Sequence, residues 1–272
     1  MIIADIEGSS GCRDHRASSF LTPEWAMACE AMTRDINSVV TALFDAGVEH
    51  IRVKDFHRTG FNLLPELIHP KAEIIHGYRK GPVPGIGGPE KAEAAMFLGL
   101  HAAAGTDGFL AHTLTSRLKR LEVNGKPLAE IELFASALSP FGVRPVFFTG
   151  CPVACEQARA AIPTISTYSI HKIAGAAGFN VESWRAGLAS AAVRSLENEQ
   201  AAPYLPMGPF EVLIEMRDGE AAARALARRW NLDRQDCRIF FTASDSRKLF
   251  MTLIRICYLS PLVEKMLPIR LR

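Results

Sequence analysis

The sequence predicts an α/β protein: a mainly parallel sheet flanked by helices, with a β-hairpin and a smaller C-terminal α/β unit. Three observations predict it. Short apolar runs alternate with segments of helical spacing over residues 1–196, the pattern of β-α units that build parallel sheets. Asn124-Gly125 stands between two strand-like stretches, a strong hairpin signal. Beyond a polar, proline-bearing segment at 197–208, strand and helix patterns alternate again to residue 258. Two units are therefore expected, a larger one over 1–198 and a smaller β-α-β-α unit over 209–272 packed against it.

Each element has its own signal. Residues 1–5 (MIIAD) are a continuous apolar run, as expected of a buried strand. Thr22-Pro23 reads as an N-cap followed by proline at the first helical position. Met32, Ile36, Val39, Val40 and Leu43 then recur at helical spacing, and Ala46-Gly47 supplies the stop. Residues 51–55 (IRVKD) are the second strand, 73–76 a short third and 94–98 (AAMFL) another buried one. The run GPVPGIGG at 81–88 does not follow a strand in phosphate-loop order, so it reads as a turn or lid. Strands are expected at 118–124 and 127–133 around the Asn-Gly turn, then at 145–149 and 164–168. Helices are expected at 152–161 and 181–196. The tail reads as strand 210–215, helix 219–230, strand 237–242 and helix 245–258, with Ser244 or Asp245 as its cap.

Composition narrows the function classes. Of 272 residues, 48% are hydrophobic and 22% charged, an ordinary globular balance. A net charge of +2 without a Lys/Arg block gives no nucleic-acid footprint. No apolar run approaches the ~20 residues that span a bilayer. MIIADIEG has neither a basic leader nor a cleavage site, so a cytoplasmic protein is expected. The six cysteines then read as core thiols; only Cys151 and Cys155 are close, and they lack a second ligand pair.

The chemistry should sit where strands end. The first strand runs into Asp5-Ile6-Glu7, the second into Asp55-Phe56-His57, and the 94–98 strand through Gly99 into His101. Ligands of open α/β sheets lie outside the carboxyl ends of the strands. Singly, a strand-end D-x-E is usually solvated and a lone histidine usually structural; the coincidence of three strand ends is what counts. Two neighbouring carboxylates repel and are costly to bury without a cation. Adding His57 and His101 gives a mixed nitrogen and oxygen set that suits zinc, manganese or cobalt. Paired divalent metals in such sites activate water and polarise carbonyls, so a two-metal hydrolase is expected. Asp55 is a candidate for orienting a ligand from behind. His112 follows a turn at Gly105 and Gly108 that could return it over the site as acid/base or nucleophile. His171, in SIHKIAGAAG, is a candidate for the substrate pocket.

The segments ADIEGSSG (4–11), VKDFHRTGFN (53–62), MFLGLHAAAGTDGFLAHT (96–113) and VNGKPLAEIEL (123–133) resemble the D-aminopeptidase family of binuclear zinc metallopeptidases. The resemblance extends over the whole chain but is specific within residues 1–150. It implies zinc ligands at Asp5, Glu7, His57, His101 and Glu130, with Asp5 bridging two ions and His112 catalytic. It also implies hydrolysis of the N-terminal residue of short peptides or amino-acid amides, some with D-residues, by five-subunit rings stacked into decamers. Glu132, on the same expected strand as Glu130, competes with it as the ligand. Departures from the family fall at Glu132, Phe134, Gly150-Cys151-Pro152 and around His171; they touch the pocket and leave the metal set intact. The alternatives are another two-metal hydrolase, an amidase or esterase, or a non-catalytic peptide-binding homologue.

Overall fold

A computed structural model describes residues 1–79, 81–172 and 179–258. The chain order begins β1 (Ile2–Ala4), α1 (Pro23–Asp45), β2 (Arg52–Asp55), β3 (Glu73–Ile75) and β4 (Ala94–Leu98). It continues with β5 (Leu118–Val123), β6 (Lys126–Pro127), α2 (Glu130–Leu138), β7 (Arg144–Gly150), α3 (Pro152–Ala161), β8 (Ser166–Ser169) and α4 (Val181–Ser195). The last elements are β9 (Phe210–Met216), α5 (Glu220–Trp230), β10 (Asp233–Gln235), β11 (Arg238–Ala243) and α6 (Ser246–Tyr258).

Six strands form a parallel sheet in the order β3-β2-β1-β4-β7-β8. From β1 the chain moves outward through β2 and β3, then returns to β4 on the other flank of β1. The β1/β4 gap is thus the point where strand order reverses, the place at which an α/β sheet opens a crevice. Both faces of β1 are buried, which is why it is apolar throughout. Ile2 and Ala4 pack with α1 and α4, while Ile3 packs towards α2 and the second sheet. The helix α1 starts as expected: Thr22 accepts from the Trp25 amide at 3.0 Å and Pro23 opens the first turn.

The second sheet is antiparallel, in the order β10-β11-β9-β5-β6. Asn124 and Gly125 both take positive φ, 51° and 75°, as the tight hairpin turn requires. The hairpin strand β5 pairs along its length with β9, so this sheet draws on both sides of the 197–208 segment. Asp245 caps α6, its Oδ1 accepting from the Lys248 amide at 2.8 Å.

One expectation fails. Residues 127–133 are not a strand: β6 ends at Pro127, and α2 begins at Glu130. The buried Ile131, Phe134, Ala135 and Leu138 recur at helical spacing, a period that begins where the strand pattern was expected to continue. Glu132 reaches back to accept from the Ala129 amide at 3.0 Å, half of a capping box. Both first-turn glutamates also suit the positive end of the helix dipole. Among the described residues no helix is long and apolar enough to cross a membrane.

Candidate metal centre

The three strand ends converge. Asp5 and Glu7 leave β1, His57 follows β2, and His101 follows β4, all on one edge of the parallel sheet. Glu130 arrives from the first turn of α2. The relative exposures of these five ionisable side chains run from 3% to 6%, far below what such groups tolerate without partners. Tight backbone contact brings β1 and β4 together here. The Gly8 amide donates to Gly99 O at 2.7 Å, and a Cβ on Gly99 would lie 2.2 Å from Asp5 O. With φ at +78°, Gly99 has two reasons to be glycine.

Asp5 stands between two groups. Its Oδ1 lies 3.0 Å from His57 Nδ1, and its Oδ2 lies 3.4 Å from His101 Nε2. Glu7 Oε2 comes to 3.3 Å of His57 Nδ1, and Glu130 Oε1 to 3.2 Å of His101 Nε2. One half is therefore Asp5, Glu7 and His57; the other is Asp5, His101 and Glu130. Ligand atoms of Asp5, Glu7 and His101 all lie within 4.8 Å of one another, as do those of His101, His112 and Glu130.

The imidazoles are oriented by backbone carbonyls, which can only accept. His57 Nε2 lies 3.1 Å from Ser18 O, His101 Nδ1 lies 3.1 Å from Ala102 O, and His112 Nδ1 lies 2.8 Å from Leu110 O. The nitrogen facing each carbonyl must carry a proton. The other nitrogen of His57 and His101 then presents a lone pair to carboxylate oxygens unless it holds a proton or a cation. Among the described residues, His101 Nε2 and Glu7 Oε2 are buried without a hydrogen-bond partner. Carbonyl-anchored imidazoles with their free nitrogens aimed at carboxylates are the donor set of a divalent cation. The residues present fit such a group.

The electrostatics agree. Burial, reinforced by Glu7, raises the Asp5 carboxyl to about 7. Burial alone would lower His101, but Glu130 and Asp5 outweigh it and push the imidazole up to about 10. His57 likewise rises well above the usual histidine value, because Glu7 and Asp5 overcome its burial. Burial opposes ionisation of Glu7 and Glu130 too, yet His57 and His101 respectively hold them low. His112 goes the other way. Burial and the neighbouring His101 lower it, and the two rings stack at 3.7 Å between centroids.

Other expected residues fall in different places. Asp55 touches no ligand side chain directly. It accepts from the Asn62 and Leu63 amides and from Asn62 Nδ2, which also donates to His57 O at 2.7 Å. Asp55 thus holds the loop that carries His57. Glu130 and Glu132 sit about 200° apart around the helix. Glu132 faces Ala129 and Tyr204 instead, the Tyr204 hydroxyl lying 3.4 Å from its Oε1. His171 is exposed, and residues 173–178 of its loop lie outside the described residues. Its neighbour Lys172 is the group that reaches the site. The Lys172 ammonium donates to Ser9 O and, at 3.0 Å, to Cys12 O, and lies 5.2 Å from the Phe109 ring centre. Burial lowers its pKa to about 8. Sequence reasoning missed Lys172, the Ser18 carbonyl and the ion pair of buried Asp35 with Arg185.

Fold and site together define an α/β protein with a buried carboxylate–imidazole centre at the switch point of its parallel sheet. The chain belongs to the peptidase family described as D-aminopeptidase, whose sequence model matches residues 1–254. A D-aminopeptidase of Bacillus subtilis is 28% identical over 166 residues, 61% of this chain and 61% of that protein. The chain thus matches under two thirds of that relative's length. Among solved structures, the fold matches that of the "Zn-dependent D-aminopeptidase DppA from Bacillus subtilis, a self-compartmentalizing protease", with a TM-score of 0.83. That match covers 94% of this chain and 95% of the other at 22% identity, which speaks for the shared fold alone.

Proposed function

We propose that the protein is a metal-dependent aminopeptidase that removes the N-terminal residue of short peptides or amino-acid amides, D-residues among them. The observation that carries the reading is the set of carbonyl-anchored imidazoles whose free nitrogens face buried carboxylates. Two divalent cations would complete it, zinc by analogy with the relative described as Zn-dependent. Asp5, Glu7 and His57 would hold one; Asp5, His101 and Glu130 would hold the other. Bound there, such ions would supply Lewis-acid polarisation of the scissile carbonyl and a water of lowered pKa.

The protein's own groups do the rest. His57 and His101 stay in one tautomer because Ser18 O and Ala102 O hold their other N–H groups. His112 keeps its Nδ1 proton on Leu110 O, so Nε2 is the free, basic nitrogen. Its lowered pKa keeps that nitrogen unprotonated at neutral pH, ready to take a proton or attack a carbonyl. The near-complete burial of the carboxylates keeps bulk water away and strengthens each contact. A self-assembling homo-oligomer and a cytoplasmic setting complete the reading. The first is supported by the self-compartmentalizing relative, the second by six free thiols.

The test pairs metal analysis with a panel of D- and L-aminoacyl amides and short peptides. Wild type should carry zinc and lose activity to a chelator. His101→Ala should lose both metal and activity, whereas His112→Ala should keep its metal and lose about 10²–10⁴-fold in kcat. Variants that cleave every substrate as wild type does would overturn the reading. Metal lost from His112→Ala would make His112 a ligand instead.

A further inference from the structure

The loop that follows the first two carboxylates is held by charges from far along the chain. Asp35, buried in the middle of α1, accepts from the Ser10 amide and from Ser10 Oγ, each at 2.7 Å. Arg185 of α4 completes the triangle, its Nε donating to Asp35 Oδ1 at 2.8 Å, with Ser10 Oγ 3.4 Å from its Nη2. On the other side Lys172 donates to Ser9 O and Cys12 O. Ser10 is three residues past Glu7, so these contacts fix the path of the chain that carries Glu7.

Close packing and buried polar contacts hold this loop together. A small cavity beside it is lined by Asp5, Ser9, Asp35, Thr149 and Trp184 among others. A Cβ on Gly8 would lie 2.6 Å from Gly99, and one on Gly11 would lie 2.4 Å from Ala31 Cβ. Both glycines therefore sit in close contact with their neighbours, Gly8 against Gly99 and Gly11 against α1. The buried Asp35 carboxylate with its three donors adds to this, because breaking one contact leaves a charge unpaired in a medium of low dielectric.

We infer that Asp35, Arg185 and Lys172 are positioning residues. They clamp residues 8–12 so that Glu7 stays aimed at the cation it shares with Asp5 and His57. The inference rests on the metal-centre reading above. Groups that orient metal ligands typically govern affinity by 10–100-fold. The clamp acts through the backbone, so the expected effect is at the lower end, about tenfold.

The test is zinc affinity of the metal-stripped protein, by competition with a chromogenic chelator. Asp35→Asn and Arg185→Met should each weaken zinc binding about tenfold, and Lys172→Met somewhat less. Arg185→Lys, which keeps the charge, should recover part of the loss. Val212→Ala, in the core of the second sheet, is the control for lost stability alone. It should lower Tm while leaving zinc affinity unchanged. Ser10→Ala is the mildest variant and should shift affinity the same way if stronger ones do not fold. Amide hydrogen exchange of residues 8–12 is read in parallel without metal and should speed up in the clamp variants, not in the control. Unchanged affinity in the clamp variants, or an equal loss in Val212→Ala, would overturn the inference. A wild type that binds no zinc would sink the metal reading, and exchange in the loop would still decide the clamp.

Discussion

Filling the centre should expel protons, and the number follows from the geometry. Without a cation, His101 Nε2 faces Asp5 and Glu130, and its pKa is pushed up to about 10. His57 Nδ1 faces Asp5 and Glu7 and is raised well above the ordinary histidine value. Both rings are therefore imidazolium at neutral pH, whereas a ligating nitrogen must be bare. Asp5, raised to about 7, holds a further fraction of a proton there. Binding should release about two protons, plus that fraction near pH 7. The sign is fixed: the metal-free form holds more protons, so apparent affinity rises with pH. The overall constant for filling both sites should rise about hundredfold per unit, about tenfold for each ion and its one histidine, flattening near pH 10 as His101 gives up its proton unaided. Calorimetric titration of zinc in two buffers of unlike ionisation enthalpy measures the released protons directly. Release near zero would mean that the imidazoles are neutral in the metal-free protein, which the facing carboxylates forbid, and would refute the argument.

Glu130→Gln should lose metal and about a hundredfold or more in activity, judged by zinc content and kcat/KM. Glu132→Ala should keep its metal and cost about 1 kcal/mol in urea unfolding, the worth of a helix-start contact. Gly99→Ala should be destabilised by more than about 2 kcal/mol even in chelator, since its Cβ has no place beside Asp5 O. Phe134→Ala removes a ring packed against Phe56 and Phe250, with centroids 4.5 Å and 6.2 Å away; unfolding should show a loss of about 3–5 kcal/mol.

The parts legible in the sequence share a physical origin. A parallel strand buried on both faces is a short apolar run, so a polar residue at its end is conspicuous. Asp5, His57 and His101 are visible for that reason. Glu130 is not at a strand end. Its signal was the 131, 134, 135, 138 spacing, masked because the hairpin turn just before it invites a continuing strand. Asp35 also left a trace, a carboxylate amid the buried face of Met32, Ile36 and Val39. The Ser18 carbonyl left none, since any residue could supply it. The pairing of β5 with β9 was hidden likewise: a hairpin signal fixes one neighbour of a strand and says nothing of the other.

The two halves of the centre are mounted on different layers. Asp5, Glu7, His57 and His101 hang from the edge of the parallel sheet, whereas Glu130 stands on α2, which packs between that sheet and α6. The join is aromatic. Phe56, one residue before His57, meets Phe134, one turn after Glu130, edge to face. Core packing at this join therefore contributes to the distance between the half with His57 and the half with Glu130. Strain at this join should reach the site as a change in the spacing of intact ligands. A change at Phe134 should therefore alter the spacing of the candidate ligands without removing any of them.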